Sequence, residues 1–135
     1  MNKPHNTLAV AIGLCYAASF AMPAVMLRDD ETMFGWLAFA YALPTVFPVW
    51  LANPFFLFGL FSLAMQNWRG ATIWGLLSCP CIAFGLFLIF FVGGAPHVGF
   101  FFWAGSCVAL ALVRWIAESW WPGIDFNSER PEDIE

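Results

Sequence analysis

Charged residues are distributed unevenly along the chain, and three long runs contain no Asp, Glu, Lys or Arg. These runs cover residues 4–27, 32–68 and 70–113. The last run has 44 residues, enough for two bilayer crossings and a turn, since an apolar helix spans the hydrocarbon core with about 20 residues. The pattern predicts an all-α fold, namely a polytopic transmembrane helical bundle.

The turn residues and charges that interrupt the apolar pattern divide this bundle into elements. We expect four spans, at about 8–27, 47–66, 72–92 and 99–117. They form a single transmembrane domain over residues 1–120, and residues 121–135 follow as an acidic cytoplasmic tail. The Gly-Gly-Ala-Pro-His sequence at 93–97 predicts a tight turn between the last two spans.

The middle run is too long for one span and short for two. Pro44, Pro48 and Pro54 each remove a backbone donor and disfavour an uninterrupted helix. We therefore interpret residues 33–46 as an apolar helix that lies in the membrane interface. In the alternative this segment crosses the membrane, and the next span then shrinks to about 13 residues, well below the length that a crossing needs.

The cations predict an orientation, because Lys and Arg are enriched on the cytoplasmic side of membrane proteins. Four spans place Lys3, Arg69, Arg114 and Arg130 on one side and Arg28 on the other. A five-span arrangement with the N-terminus outside misplaces only Lys3, so the side of the N-terminus stays open. Both arrangements predict a cytoplasmic C-terminus in a bacterial inner membrane.

The composition also excludes several classes of function. Charged residues are 10% of the chain, with five Lys and Arg in total, too few and too scattered to neutralise the phosphates of a nucleic acid. Proton relays and ion pumps need ionisable groups inside the membrane, and the predicted spans contain no Asp, Glu, Lys, Arg or His before Arg114. Arg114 can pair with Glu118 one turn later. We find no Ser-His-Asp set or phosphate loop and predict no enzymatic activity.

Four cysteines are the candidate metal ligands. Cys79-Pro80-Cys81 resembles the membrane Cys-Pro-Cys of heavy-metal-transporting P-type ATPases, over three residues only. A proline kink could turn both sulfurs toward one site, which Cys15 and Cys107 would complete at a similar depth, and sulfur ligands suit Cu(I). Cysteine is also a common small apolar residue in helices. We therefore predict no cofactor and keep Cu(I) binding as the alternative.

Small residues recur every four positions in the first predicted span, at Gly13, Ala17 and Ala21. Such a stripe lies on one helix face and lets a neighbouring helix approach closely, because packing drives helix association in lipid. The absence of visible chemistry favours a non-enzymatic accessory or assembly subunit that binds another membrane protein or a second copy of itself. An immunity-type protein that protects against a membrane-active toxin is a further alternative.

One short motif precedes the second predicted span, namely Trp50-Leu51-Ala52-Asn53-Pro54. With Gly35-Trp36 upstream and the aromatic segment at 99–106, it resembles a family of small bacterial integral membrane proteins that carry Trp-x-Ala-Asn-Pro. The resemblance implies a multi-pass membrane protein of unassigned function, without catalytic residues. From the residues themselves, we expect Asn53 to cap the helix that Pro54 opens. In the alternative, Asn53 is a polar site at the membrane mouth.

Overall fold

The structure is a computed structural model that describes residues 4–27, 31–45, 47–124 and 126, with residues 41–45 described by their backbone alone. The described chain is mostly helical, which confirms the predicted helical class. Its helices are, in order, α1 (Pro4–Ala21), α2 (Gly35–Thr45), α3 (Phe47–Trp50), α4 (Ala52–Ala64), α5 (Trp68–Phe91), α6 (Val98–Ala111) and α7 (Val113–Trp120). Three short strands are present too: β1 (Pro23–Met26), β2 (Thr32–Phe34) and β3 (Ala95–Pro96).

Two stretches of helix are long and apolar enough to span a membrane. They are the combined α3 and α4 over Phe47–Ala64, with 18 residues, and α5, with 24 residues. The bent pair of α6 and α7 makes a third if it is counted as one span. The described residues thus contain two or three candidate spans. Helix α1 has 18 residues but opens on Pro-His-Asn-Thr, which lowers its hydropathy.

The first predicted span, 8–27, ends earlier than expected. Helix α1 stops at Ala21, and Pro23–Met26 form β1 instead of another helical turn. Pro23 explains this end, since it has no N–H to donate and disfavours helical conformation at the residue before it. The expectation of a helix to residue 27 was wrong, because an apolar strand and an apolar helix look alike when neither has a polar face.

The three strands form one small antiparallel sheet in the order β2-β1-β3. Met26 of β1 pairs with Thr32 of β2 on one side and with Ala95 of β3 on the other. The register between β1 and β2 is irregular between Pro23 and Val25. The sheet therefore joins the segment that follows α1 to the turn between α5 and α6.

Residues 33–46 contain a separate helix, as predicted. The first two residues of this segment, Met33 and Phe34, belong to β2 instead. Helix α2 begins at Gly35 and packs against α1 and α3. A Cβ at position 35 would collide with the carbonyl of Ser19, so glycine allows the start of α2 to lie against the end of α1. The helix has 11 residues, or about 16 Å at 1.5 Å per residue, which is too short to cross a bilayer.

The long helices run alternately between two ends of a bundle. His5 at the start of α1 lies 6.4 Å from Trp68 at the start of α5, measured between ring centroids. Near the same end, a Cβ at Gly75 of α5 would collide with the backbone of Ala111 at the end of α6. We call this the basic end, since Arg69 and Arg114 lie beside these residues. The opposite end carries the sheet and is called the sheet end.

The bundle core is formed by α1, α4, α5 and α6. The Tyr16 and Phe56 rings stack with centroids 4.1 Å apart and join α1 to α4. The largest fully buried side chains are Phe56, Leu63, Leu110, Val113, Cys107 and Ser78. The described core contains no buried Asp, Glu, Lys or Arg.

The last predicted span, 99–117, is not one continuous helix. The chain breaks at Leu112, and α7 leaves α6 at an angle of 73°. Helix α7 buries Val113 and Ala117. Its exposed face carries the predicted Arg114–Glu118 pair, with Nε and Oε1 3.2 Å apart. Because of this bend, the amphipathic helix α7 lies across the basic end with its apolar face against the bundle core.

The predicted acidic tail, residues 121–135, lies largely outside the described residues, as do Lys3, Arg28 and Arg130. Of that segment, residues 121–124 and 126 are described. Phe126 packs edge-on against Trp68 at 5.3 Å between ring centroids, and the Arg114 guanidinium lies 5.1 Å from the Phe126 ring centroid. These contacts place the chain after α7 beside the start of α5.

Candidate functional site

Asn53 is the polar centre of the bundle, and its position follows from the proline after it. In a regular helix the N–H of residue 54 would donate to the carbonyl of residue 50, but Pro54 has no N–H. The Asn53 side chain supplies the missing donor, with Nδ2 3.0 Å from the Trp50 carbonyl oxygen. The Asn53 side chain thus gives the Trp50 carbonyl a hydrogen-bond donor, which Pro54 alone would not supply.

The Asn53 amide oxygen binds two further helices. Tyr16 of α1 donates its hydroxyl to Oδ1 at 2.8 Å, and Trp103 of α6 donates its indole N–H to the same oxygen at 3.1 Å. Both lone pairs of Oδ1 are therefore used. Asn53 is 7% exposed, and α1, α4 and α6 meet at this one side chain.

This geometry corrects the predicted role of Asn53. The N-cap of α4 is Leu51, and it makes no side-chain capping hydrogen bond. Asn53 lies within the first turn of α4, facing the bundle interior, so it bridges helices and does not cap one. The expectation that Asn53 caps α4 was therefore wrong.

Tyr16 and Trp103 were not predicted as part of this site. A faint signal exists, because a buried Tyr hydroxyl or Trp N–H usually finds a hydrogen-bond partner. Their partner lies 37 and 50 residues away in sequence, and no local pattern connects positions at such distances. Tyr16 and Trp103 could therefore be marked as needing a partner, but not paired with Asn53.

A second buried hydroxyl links α5 to α4. The Ser78 Oγ lies 3.1 Å from the Trp74 carbonyl oxygen and 3.4 Å from the Ala52 carbonyl oxygen. Ser78 has no exposed surface. The Asn53 and Ser78 contacts together place hydrogen bonds between all four long helices of the bundle.

An apolar cavity of about 230 Å³ lies next to Asn53, toward the sheet end. Its walls come from helices α1 to α6 and from strands β1 and β2, and it is partly open to the outside. Asn53 and Ser19 are the polar side chains that line it. The alternative prediction, that Asn53 is a polar site at a membrane mouth, stays a prediction.

Of the four predicted metal ligands, Cys79, Cys81 and Cys107 lie within electrostatic reach of one another, but they do not form a metal site. Cys15 is exposed on α1 and Cys107 is fully buried on α6, while Cys79 and Cys81 are half-buried on α5. Helix α5 continues through Pro80. Within the described ranges, no group of three or more His, Cys, Asp and Glu side chains could hold a metal ion.

The predicted small-residue stripe is not the face by which α1 packs in the described bundle. A Cβ at Gly13 would make an ordinary contact of 3.4 Å with Leu60 of α4. Ala17 and Ala21 are exposed. The buried side of α1 consists of His5, Leu8, Ile12, Tyr16 and Ser19.

The chain was compared with protein-family models, curated proteins and solved structures. No family model, curated protein or solved structure matches the chain. The resemblance to small membrane proteins with Trp-x-Ala-Asn-Pro therefore stays an expectation from five residues.

Proposed function

We propose that this chain is a small integral membrane protein of the bacterial inner membrane that acts as a non-enzymatic accessory or assembly subunit. It binds another membrane component through the outward sides of its helices. The observation that carries this proposal is that small residues are exposed on two neighbouring helices, Ala17 and Ala21 on α1 and Gly105 on α6. In lipid, small residues on an outer face favour close packing by a second helix.

Gly105 supports the proposal most directly. A Cβ built at this position meets nothing within 4 Å, so the packing inside the chain does not require glycine there. Phe101, Phe102 and Val108, on the same helix, are exposed large side chains. A glycine among them leaves a depression into which a neighbouring helix fits.

The interior supports a binding role over a catalytic one. The buried amide and the buried hydroxyls of Tyr16, Ser19, Ser78 and Ser106 each have a hydrogen-bond partner within the chain. Groups that hold a bundle together in this way are not free to act on a substrate. These groups therefore support the fold, and the outward surface is the better candidate for binding a protein partner.

The arrangement in the membrane is part of the same proposal. Helix α1, the α3–α4 segment, α5 and α6 run alternately, so four crossings follow if α1 is counted with the candidate spans. Arg69 and Arg114 share the basic end, and positive charge is enriched on the cytoplasmic side. We place the basic end, and with it the C-terminus, in the cytoplasm, and α2 in the opposite interface.

The test is a comparison of co-purifying proteins between wild type and outer-face variants. The full chain is tagged, extracted mildly from its native membrane, and its partners are quantified by mass spectrometry. We expect Gly105→Leu and Ala17→Leu to lower the amount of one specific partner, or of a second tagged copy, by about tenfold, which corresponds to about 1.4 kcal/mol. Ala83→Leu, at an exposed position on α5, is the matched control and should retain the partner.

Two results would contradict the proposal. One is a chain that is monomeric in the membrane and brings down no protein above the level of an unrelated tagged membrane protein. The other is equal loss of the partner in Gly105→Leu, Ala17→Leu and Ala83→Leu, since this would mean that the small residues have no particular role.

A further inference from the structure

The cavity beside Asn53 is too large and too apolar to be explained by the packing of the bundle. It has a volume of about 230 Å³ and is lined mainly by aliphatic and aromatic side chains, among them Phe20, Phe39, Leu88, Ile89 and Phe100. Well-packed interiors contain few voids larger than a water molecule. A dry engineered cavity of about 150 Å³ already binds benzene.

The polar side chains of the cavity wall spend most of their hydrogen-bonding capacity within the chain. Asn53 Oδ1 accepts from Tyr16 and Trp103, and its Nδ2 donates to the Trp50 carbonyl. Ser19 Oγ donates to the Tyr16 carbonyl at 2.6 Å. The second N–H of Asn53 Nδ2 and the lone pairs of Ser19 Oγ are the side-chain polar capacity left over. The rest of the lining is mainly hydrocarbon, so the cavity favours an apolar guest.

The position of the cavity indicates where its guest comes from. One wall is formed by β2 and α2, which carry the exposed side chains of Phe34 and Trp36 on their outer side. Trp is enriched at the membrane–water interface, and the cavity is partly open. Lipid chains are the apolar molecules that reach such an opening in the membrane in which we place the protein.

We propose that the cavity holds the end of one unbranched hydrocarbon chain of a membrane lipid, with α2 and the sheet as its outer wall. This inference rests on the proposed membrane location but not on the proposed partner. The bound lipid fills the space between α2 and the bundle and helps to hold α2 against α1. A fatty acid and a phospholipid share this chemistry, and the experiment distinguishes them.

The test is photo-crosslinking in membranes that contain the full chain. Two probes are used, a fatty acid and a phosphatidylcholine, each with a diazirine near the chain end. We expect adducts at the cavity-lining residues Leu88, Ile89, Phe100 and Trp103, and the probe that gives them identifies the source. Ala38→Phe narrows the cavity from α2 and should lower these adducts at least fivefold, whereas Ala40→Phe, exposed on the same helix, should leave them unchanged.

A second pair of variants covers the case in which Ala38→Phe does not fold. Leu88→Trp fills the cavity from α5, and Phe87→Trp, at the neighbouring exposed position, is its control. Adducts confined to outward residues such as Phe90 and Phe91 in the wild type would overturn the inference. So would equal labelling in Leu88→Trp and Phe87→Trp. Resistance to carbonate extraction is measured on the same membranes, so that a failure of membrane location is distinguished from an empty cavity.

Discussion

At the scale of single residues, Asn53 and Pro54 act as one unit. Proline opens α4 at the cost of a backbone donor, and the asparagine before it returns a donor to the Trp50 carbonyl. The same asparagine then accepts from Tyr16 and Trp103. The Asn53 side chain therefore replaces the hydrogen bond that Pro54 cannot make and connects α1, α4 and α6.

Asn53→Ala should destabilise the bundle by about 2–4 kcal/mol, because it leaves the Tyr16 hydroxyl, the Trp103 N–H and the Trp50 carbonyl buried without partners. The free energy of unfolding is measured by titration with SDS in mixed micelles, followed by circular dichroism. Asn67→Ala is the matched control. It removes the cap of α5, in which Oδ1 accepts from the Gly70 N–H at 2.7 Å, and should cost about 1 kcal/mol. Equal losses in the two variants would contradict the bridging role of Asn53.

The coupling between Asn53 and Pro54 gives a second prediction. Pro54→Ala restores an N–H that can donate to the Trp50 carbonyl, so Asn53→Ala should be less damaging in that background. We expect a coupling energy of about 1 kcal/mol in a double-mutant cycle, close to the worth of one hydrogen bond. Strictly additive losses would show that the asparagine does not replace the donor that proline lacks.

At the scale of elements, two helices pack closely where a glycine lets the backbone of one approach the backbone of the other. Gly75 brings α5 against the end of α6, where any Cβ would meet the backbone of Ala111. Helix α7 begins there and covers the basic end with Val113 and Ala117. The close approach of α5 and α6 thus depends on Gly75, and the docking of α7 on the buried side chains of Val113 and Ala117.

Gly75→Ala and Gly105→Ala make a matched pair on neighbouring helices. The first should destabilise the bundle by at least about 1–3 kcal/mol through overpacking, since backbone cannot move aside as a side chain can. The second should be neutral or stabilising, because its Cβ enters open space and alanine favours helix over glycine. The same SDS titration measures both, and a larger loss at Gly105 would contradict this packing.

The docking of α7 should depend on packing more than on charge. Arg114 and Glu118 are about half exposed, and surface ion pairs contribute 0–1 kcal/mol at most, so we expect Arg114→Ala to change stability by less than about 1 kcal/mol. Val113→Ala removes a fully buried side chain and should cost about 1–2 kcal/mol. Hydrogen exchange of the α7 amides reports both changes locally. Faster exchange in Arg114→Ala than in Val113→Ala would reverse this order of importance.

The elements differ in how much the sequence could predict. The long helix α5 and the Gly-Gly turn after it carry clear signals and are present, but the predicted turn at 93–97 is shorter than expected, because Ala95–Pro96 form β3. Strand β1 could not be recognised, because Pro23–Met26 is as apolar as the helix before it and shows no period. The break at Leu112 has no proline or glycine to mark it. Its only sign is the change from uniformly apolar residues to the amphipathic pattern of α7.

At the scale of the whole molecule, the alternating helices separate two different ends. The described cations Arg69 and Arg114 lie at the basic end, while the sheet and α2 lie at the other. The charge pattern predicted that Arg69 and Arg114 lie at the same end, since this depends only on the order of the spans. The sheet end depended on pairings between distant segments, which no single stretch of sequence contains.

The orientation is measured by cysteine accessibility in a background with all four native cysteines replaced by serine. We expect Arg69→Cys and Ser119→Cys to react with a membrane-impermeant maleimide only from the cytoplasmic side. Val92→Cys, next to the turn at the sheet end, should react only from the opposite side. Reaction of Arg69→Cys and Ser119→Cys from different sides would contradict the alternating arrangement.

The sheet also sets an order of events during synthesis. Strand β1 finds β2 within a few residues, but its other edge pairs with β3, which leaves the ribosome roughly 70 residues later, or about 4–14 s at 5–20 residues per second. Until then α2 and the first helices are present while the sheet end stays open. The chain is therefore completed at that end last, and a nascent chain that stops before Ala95 should carry an unfinished cavity.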